Sequence, residues 1–255
     1  MTFRPASTVA SGRAERLHRN ILAGGLLLTG VLWSAMWLTH KGHAALTAAS
    51  PSLATAGVSA LLWMVMMAAM MTPAALPWLG VLAAIPRSDQ HSAGPYLRAG
   101  SLLLGYLTVW GLFSVLAAAA QLLLLQLALL EPHTLRLGGR AAGGVLLLAG
   151  LWELSPVKDA CLRRCRSPFG VLLAGWTRGS ASGYGIGLRH GLTCLACCWG
   201  LMALGFVVGV VSLGWMAVLT AIVCAEKVMP RGHQIPRLLG VALACVGIAL
   251  LASPG

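Results

Sequence analysis

Residues 100–130 read GSLLLGYLTVWGLFSVLAAAAQLLLLQLALL, an apolar run without one Asp, Glu, Lys or Arg. As an α-helix it is long enough to cross about 30 Å of hydrocarbon. Lipid offers no partner to a free amide or carbonyl, so the run must satisfy its backbone internally, as helix. The composition agrees: 58% of the 255 residues are hydrophobic and 9% are charged, whereas soluble domains carry about 25% charge. A water-soluble fold could not cover its core with so few charges. The length suits one membrane bundle rather than several domains.

Working outward, seven segments have roughly the length of a span: 21–39, 56–85, 100–130, 138–154, 187–208, 211–225 and 235–252. The expected fold is therefore all-α, a polytopic bundle of seven transmembrane helices making a single domain over 21–253. The second and third segments exceed one span and should tilt or continue beyond the lipid. The sixth is short, and its boundary with the fifth falls within 209–214. Pro73 and Pro77 lie inside the second span and should kink it. No internal repeat of two related halves is visible. The basic leader, 1–20, is expected to be disordered or to lie on anionic lipid through Arg13, Arg16 and Arg19. The first apolar run lacks a cleavage motif and is read as a retained helix.

Lysine and arginine counts set the orientation. With the amino terminus inside, fifteen basic residues fall on cytoplasmic segments and three, Lys41, Arg136 and Arg140, fall outside. The expectation is a multi-pass protein in the lipid bilayer, its amino terminus cytoplasmic and its carboxyl terminus outside. The net charge of +12 sits in short loops between apolar runs. It therefore speaks for membrane topology, not for nucleic-acid binding.

Orientation gathers the cysteines. Cys161 and Cys165 form a C-x3-C in the fourth loop. Cys194, Cys197 and Cys198 form C-x2-C-C a turn or two inside the fifth span. Cys224 ends the sixth, and only Cys245, of seven, falls toward the outer half. On a helix His190, Cys194, Cys197 and Cys198 share one face. Thiolates and imidazole suit Cu(I) or Zn(II); cysteine can equally be a small buried hydrophobe. The stretch Trp63-Met64-Val65-Met66-Met67-Ala68-Ala69-Met70-Met71-Thr72-Pro73 adds thioethers, with Met64, Met67 and Met71 on one face. Those methionines can present sulfur to Cu(I), or simply pack around a kinked helix. Glu153 and Glu226 end the fourth and sixth spans, where a carboxylate can serve function or be paired, for example with Lys158 or Lys227. Glu226 is counted with the candidate ligands. His40 and His43 mark the outer end of the first span, as entry ligands or as a solvated loop. No P-loop, dinucleotide glycine pattern, nucleophile elbow or H-E-x-x-H is present, so no catalytic residue is assigned.

Several pieces taken together resemble a known family. They are Trp63-Met64-x2-Met67-x2-Met70-Met71-x-Pro73, Gly105-Tyr106-x3-Trp110, Ser155-Pro156-x-Lys158-x2-Cys161-Leu162-x2-Cys165-Arg166-x-Pro168, Gly191-x2-Cys194-x2-Cys197-Cys198-Trp199-x-Leu201-Met202, Trp215-Met216 and Glu226-Lys227. The joint pattern is similar to a bacterial family of predicted metal-binding integral membrane proteins. It departs from that pattern at Trp152-Glu153, where a more neutral pair is expected. The resemblance implies metal binding without naming a reaction. The leading expectation is a copper-handling membrane protein, in transport or in delivery to a copper enzyme, with a metal donor or acceptor protein as partner. Zinc is the alternative metal. A membrane thiol–disulfide carrier and a structural subunit of a membrane complex are the other readings.

Overall fold

The computed structural model describes residues 6–47, 52–84, 94–167, 183–210, 212–229, 232 and 234–253. The helices run α1 (Ala6–Thr47), α2 (Leu53–Ala84), α3 (Pro95–Gln126), α4 (Gly139–Glu153), α5 (Pro156–Arg166), α6 (Gly183–Ala203), the single turn α7 (Gly205–Val208), α8 (Leu213–Val228) and α9 (Ile235–Ala252). Among the described residues there is no strand, only an isolated bridge between Leu130 and Leu137. Arg4, Arg87, Pro168, Arg178 and Arg231 lie outside the described residues, as do the side chains of Arg13, His40, Lys41 and His43.

Five stretches are long and apolar enough to cross a membrane: Glu15–Thr39, Leu53–Gly80, Pro95–Gln126, Gly183–Val208 and Ile235–Ala252. They coincide with the first, second, third, fifth and seventh expected spans. The fourth and sixth are present as shorter helices, α4 of 15 residues and α8 of 16. At 1.5 Å per residue these reach about 22–24 Å, less than a full hydrocarbon core. α1 runs back to Ala6, so residues 6–20 are helical and not disordered. The boundary after the fifth span falls at Gly209, whose φ of +98° is a conformation other residues rarely adopt.

The segment expected as a cytoplasmic loop, after α4, folds as α5. Its start is written locally: the Ser155 side chain accepts the Lys158 amide at 3.1 Å, Pro156 opens the helix and Asp159 sits in the first turn. Arg163, Arg164 and Arg166 fill the last turn, where the helix dipole favours cations. Lys158, Leu162 and Cys165 form its buried face, which packs on α6 and α8. α5 thus carries a thiol and an ammonium into the bundle.

α1 packs on α2, α2 on α3, and α3 on α6, while α4 lies along α9. The α3–α6 crossing is close because both helices present glycine. A Cβ on Gly105 would collide with the Tyr184 carbonyl, and one on Gly187 with the Leu102 carbonyl. This approach brings Tyr106 of α3 against the cysteine face of α6.

Candidate metal centre

α6 buries His190, Cys194, Cys197 and Cys198 on its inward face. Lys227 of α8 donates from Nζ to Cys194 Sγ at 2.7 Å. Tyr106 Oη lies 3.0 Å from the same sulfur and donates to the Met71 carbonyl at 3.2 Å. Cys197 Sγ donates to the Cys194 carbonyl at 3.2 Å and lies 3.3 Å from Cys198 Sγ. From α5, the Cys165 thiol meets those of Cys194 and Cys197. Three thiols from two helices therefore gather around that of Cys194, whose sulfur also faces an ammonium. The hydrogen bond with Cys194, and then burial, raise the Cys165 thiol above the usual cysteine range.

Aromatic rings frame this group. Trp78 of α2 donates from Nε1 to the Cys165 carbonyl at 2.9 Å, tying α5 to α2. Its ring stacks on His190 at 4.0 Å, and Tyr106 stacks on the same imidazole at 5.3 Å. His190 is 1% exposed, yet neither of its ring nitrogens has a hydrogen-bond partner. Leaving a buried polar group unpaired costs about 1–3 kcal/mol, so an orphaned imidazole one turn from Cys194 asks for a ligand.

A second buried polar group lies beside the first. Lys158 Nζ donates to Glu153 Oε2 and, at 3.2 Å, to Glu226 Oε1. All three side chains are fully enclosed, and they come from α5, α4 and α8. Burial opposes the charge on Lys158, but Glu226 and Glu153 outweigh it and raise its pKa. The carboxylates are thus paired and not solvated. Glu226, a candidate ligand by sequence, is occupied by Lys158.

The remaining candidates separate. Met67 and Met71 are buried in the same core as the cysteines, whereas Met64 is 42% exposed. The 64/67/71 face does not act as a unit, because Met64 stands at the bundle edge beside Gly111. Met66 and Met70 are buried as well. Cys161 is half-buried at the edge of the core, Cys224 is half-buried and Cys245 is exposed. Among the described residues no group of three or more His, Cys, Asp or Glu is disposed to hold a metal ion. The thiols are gathered, but they bond to one another, to Lys227 and to backbone.

Lys227, Tyr106, Trp78 and Lys158 belong to the site without having been assigned to it from sequence. A signal existed for the lysines: each stands next to apolar helix, where an ammonium needs a partner. Tyr106 stood in the Gly105-Tyr106-x3-Trp110 piece of the resemblance without a role, and Trp78 carried no signal, since an aromatic residue in a span is ordinary.

Thiols, thioethers and an unpaired imidazole in an apolar helical interior form a donor set of the kind that prefers soft metals. The model of the PpoB2 family, described as copper chaperones, matches residues 60–250. The chain belongs to that copper-related family. Neither a curated protein nor a solved structure matches it.

Proposed function

We propose that this protein is a membrane copper chaperone that takes Cu(I) at the thiol group and passes it to an acceptor protein. The carrying observation is the convergence of Cys165, Cys194, Cys197 and Cys198, with unpaired His190 beside them. The thiolate is the metal-binding form of cysteine, and a buried thiolate needs compensating positive charge. Lys227 at 2.7 Å supplies that charge before the cargo arrives. Cu(I) is the cargo and not a resident cofactor; the family membership favours copper over zinc.

In this reading the ligands are Cys194, Cys197 and Cys198 from α6 and Cys165 from α5, with His190 completing the set and Met71 alongside. Cys161, half-buried one turn before Cys165, is the entry ligand. The chain sits in the bacterial inner membrane with seven spans and a cytoplasmic amino terminus, as the distribution of basic residues supports. The thiol group then lies toward the cytoplasmic side, and Cu(I) is loaded from there.

The test is Cu(I) titration of the purified protein against a chromophoric Cu(I) chelator, with and without Cys194/Cys197/Cys198→Ser. Loss of the tightest-bound copper in the triple variant is expected; unchanged binding would sink the site. A thiol–disulfide carrier is the second reading, favoured by the 3.3 Å between Cys197 and Cys198 sulfurs. Trapping a mixed disulfide with Cys161→Ser or Cys165→Ser in the absence of copper would select it instead.

A further inference from the structure

Seven methionines, Met36, Met66, Met67, Met70, Met71, Met202 and Met216, are buried in one contiguous core that also contains the cysteines. The other two methionines whose side chains are described, Met64 and Met229, are exposed. The outward side of α3 instead carries leucine, at Leu104, Leu112, Leu116 and Leu123. Methionine is an adaptable core filler, so the question is how the buried ones are arranged.

Helix register gives the arrangement. Trp78 of α2 stacks on His190 of α6, and further along Trp63 of α2 meets Phe206 of α7 at 5.2 Å. α2 therefore runs antiparallel to α6 and α7, which sets Met70 and Met71 level with Cys197 and Cys198, and Met66 level with Met202. α8 keeps a register of its own with α6. Lys227 meets Cys194 at one end, and a Cβ on Gly205 would lie 3.5 Å from Met216 at the other. On α1, Gly25 faces Leu76 of α2, which carries Met36 to the level of Val65 and Met66. α1, α2 and α8 pack on one another, and α6 packs on α8. Met36, Met66, Met202 and Met216 thus lie within about one turn of one another in depth, from four helices. Met202 stands eight residues beyond Cys194, about 12 Å along the axis at 1.5 Å per residue.

We infer that Met36, Met66, Met202 and Met216 form a second Cu(I) site, made of thioethers, joined to the thiol group by Met67, Met70 and Met71. This deepens the copper reading and rests on it, since it gives the cargo a route through the bundle. The four thioethers are neutral soft donors. Among the described residues the buried carboxylates are Glu153 and Glu226, both held by Lys158, so none is left to draw a hard divalent cation to the thioethers. With no anionic ligand to offset the charge of the ion, a neutral site holds it less tightly and releases it readily. It is therefore the weaker of the two sites, placed on the side away from the thiols, where cargo leaves. No electron is exchanged: Cu(I) moves from sulfur to sulfur.

The test uses the full chain in lipid nanodiscs, titrated with Cu(I) and, as a redox-inert probe, with Ag(I). The wild type is expected to bind two ions, and Cys194/Cys197/Cys198→Ser to keep one, with thioether sulfur in its X-ray absorption spectrum. Met36/Met66/Met202/Met216→Leu is expected to lose the weaker ion and keep the thiol-bound one. Met66→Leu/Met202→Leu, nearly volume-conserving, gives the same loss if the fourfold variant fails to fold. Two ions retained in a folded methionine variant overturn the second site and leave the thiol site standing. A wild type that binds only one ion, lost in the cysteine variant, does the same. A wild type that binds neither ion ends the copper reading itself, and this inference with it.

Discussion

α6 and α9 are nearly the same helix by composition and opposite by environment. Their apolar windows have mean hydropathies of 2.0 and 2.2, yet 50% of the α6 window is buried and only 17% of the α9 window. Each carries cysteine in mid-helix. Those of α6 are 0% exposed, while Cys245 of α9 is exposed. α6 crosses α3 and receives α5 and α8, so its inward face meets aromatic rings, ammonium and thiols. α9 rests mainly on α4, through glycine contacts: a Cβ on Gly247 would lie 2.6 Å from the Leu147 amide nitrogen. Hydropathy says that a helix can live in lipid. It does not say which helix its neighbours enclose, and only enclosure lets a cysteine join others.

The contrast can be broken most severely at α6. Cys194→Ser removes the sulfur on which Lys227, Tyr106 and the other thiols converge. We expect loss of the tightest Cu(I), read by chelator competition, and a comparable loss from Cys198→Ser. Cys245→Ser, in α9, should leave the same titration unchanged; an equal loss there would abolish the distinction between the helices.

Next in size is the buried ion group that ties α5 to α4 and α8. Lys158→Met leaves Glu153 and Glu226 without a counter-charge, a change that costs about 3–5 kcal/mol when a buried pair is broken. The melting temperature in detergent should fall sharply. Adding Glu153→Gln and Glu226→Gln should restore much of it, because no uncompensated carboxylate remains. Failure of that rescue would mean that Lys158 acts otherwise than through the two carboxylates.

A smaller effect is expected at the crossing that positions Tyr106. Gly187→Ala drives a methyl into the Leu102 carbonyl, and overpacking of this kind costs about 1–3 kcal/mol. Melting temperature and Cu(I) binding should drop together, since Tyr106 moves away from Cys194 as α3 and α6 part. Tyr106→Phe, which deletes only the hydroxyl bonded to the Met71 carbonyl, should cost about 1 kcal/mol. It should weaken binding less than Gly187→Ala.

Much of the site is legible in the amino-acid sequence. The i, i+4, i+7, i+8 spacing of His190, Cys194, Cys197 and Cys198 places them on one face of any α-helix, and they share one. Cys165 is legible as a candidate but not as a partner. Its approach depends on residues 156–166 turning inward as a helix, where a proline-bounded, arginine-rich stretch reads as a solvated loop. Met64 fails for the opposite reason. Helical spacing groups it with Met67 and Met71, but spacing cannot tell which edge of a face a neighbour covers.

The sequence by itself determined the helical, lipid-compatible character of the chain, the position of each apolar run and the alignment of His190, Cys194, Cys197 and Cys198 on one face of α6. These follow from local rules: backbone groups without water must close into helices, and side chains repeat every 3.6 residues. Tertiary structure alone decided that Lys227 faces Cys194, that Lys158 holds Glu153 and Glu226, and that Cys245 stands apart. Those contacts join residues up to 68 positions apart. They are set by glycine-permitted helix crossings and by the cost of burying a charge without a partner, which no single helix can express.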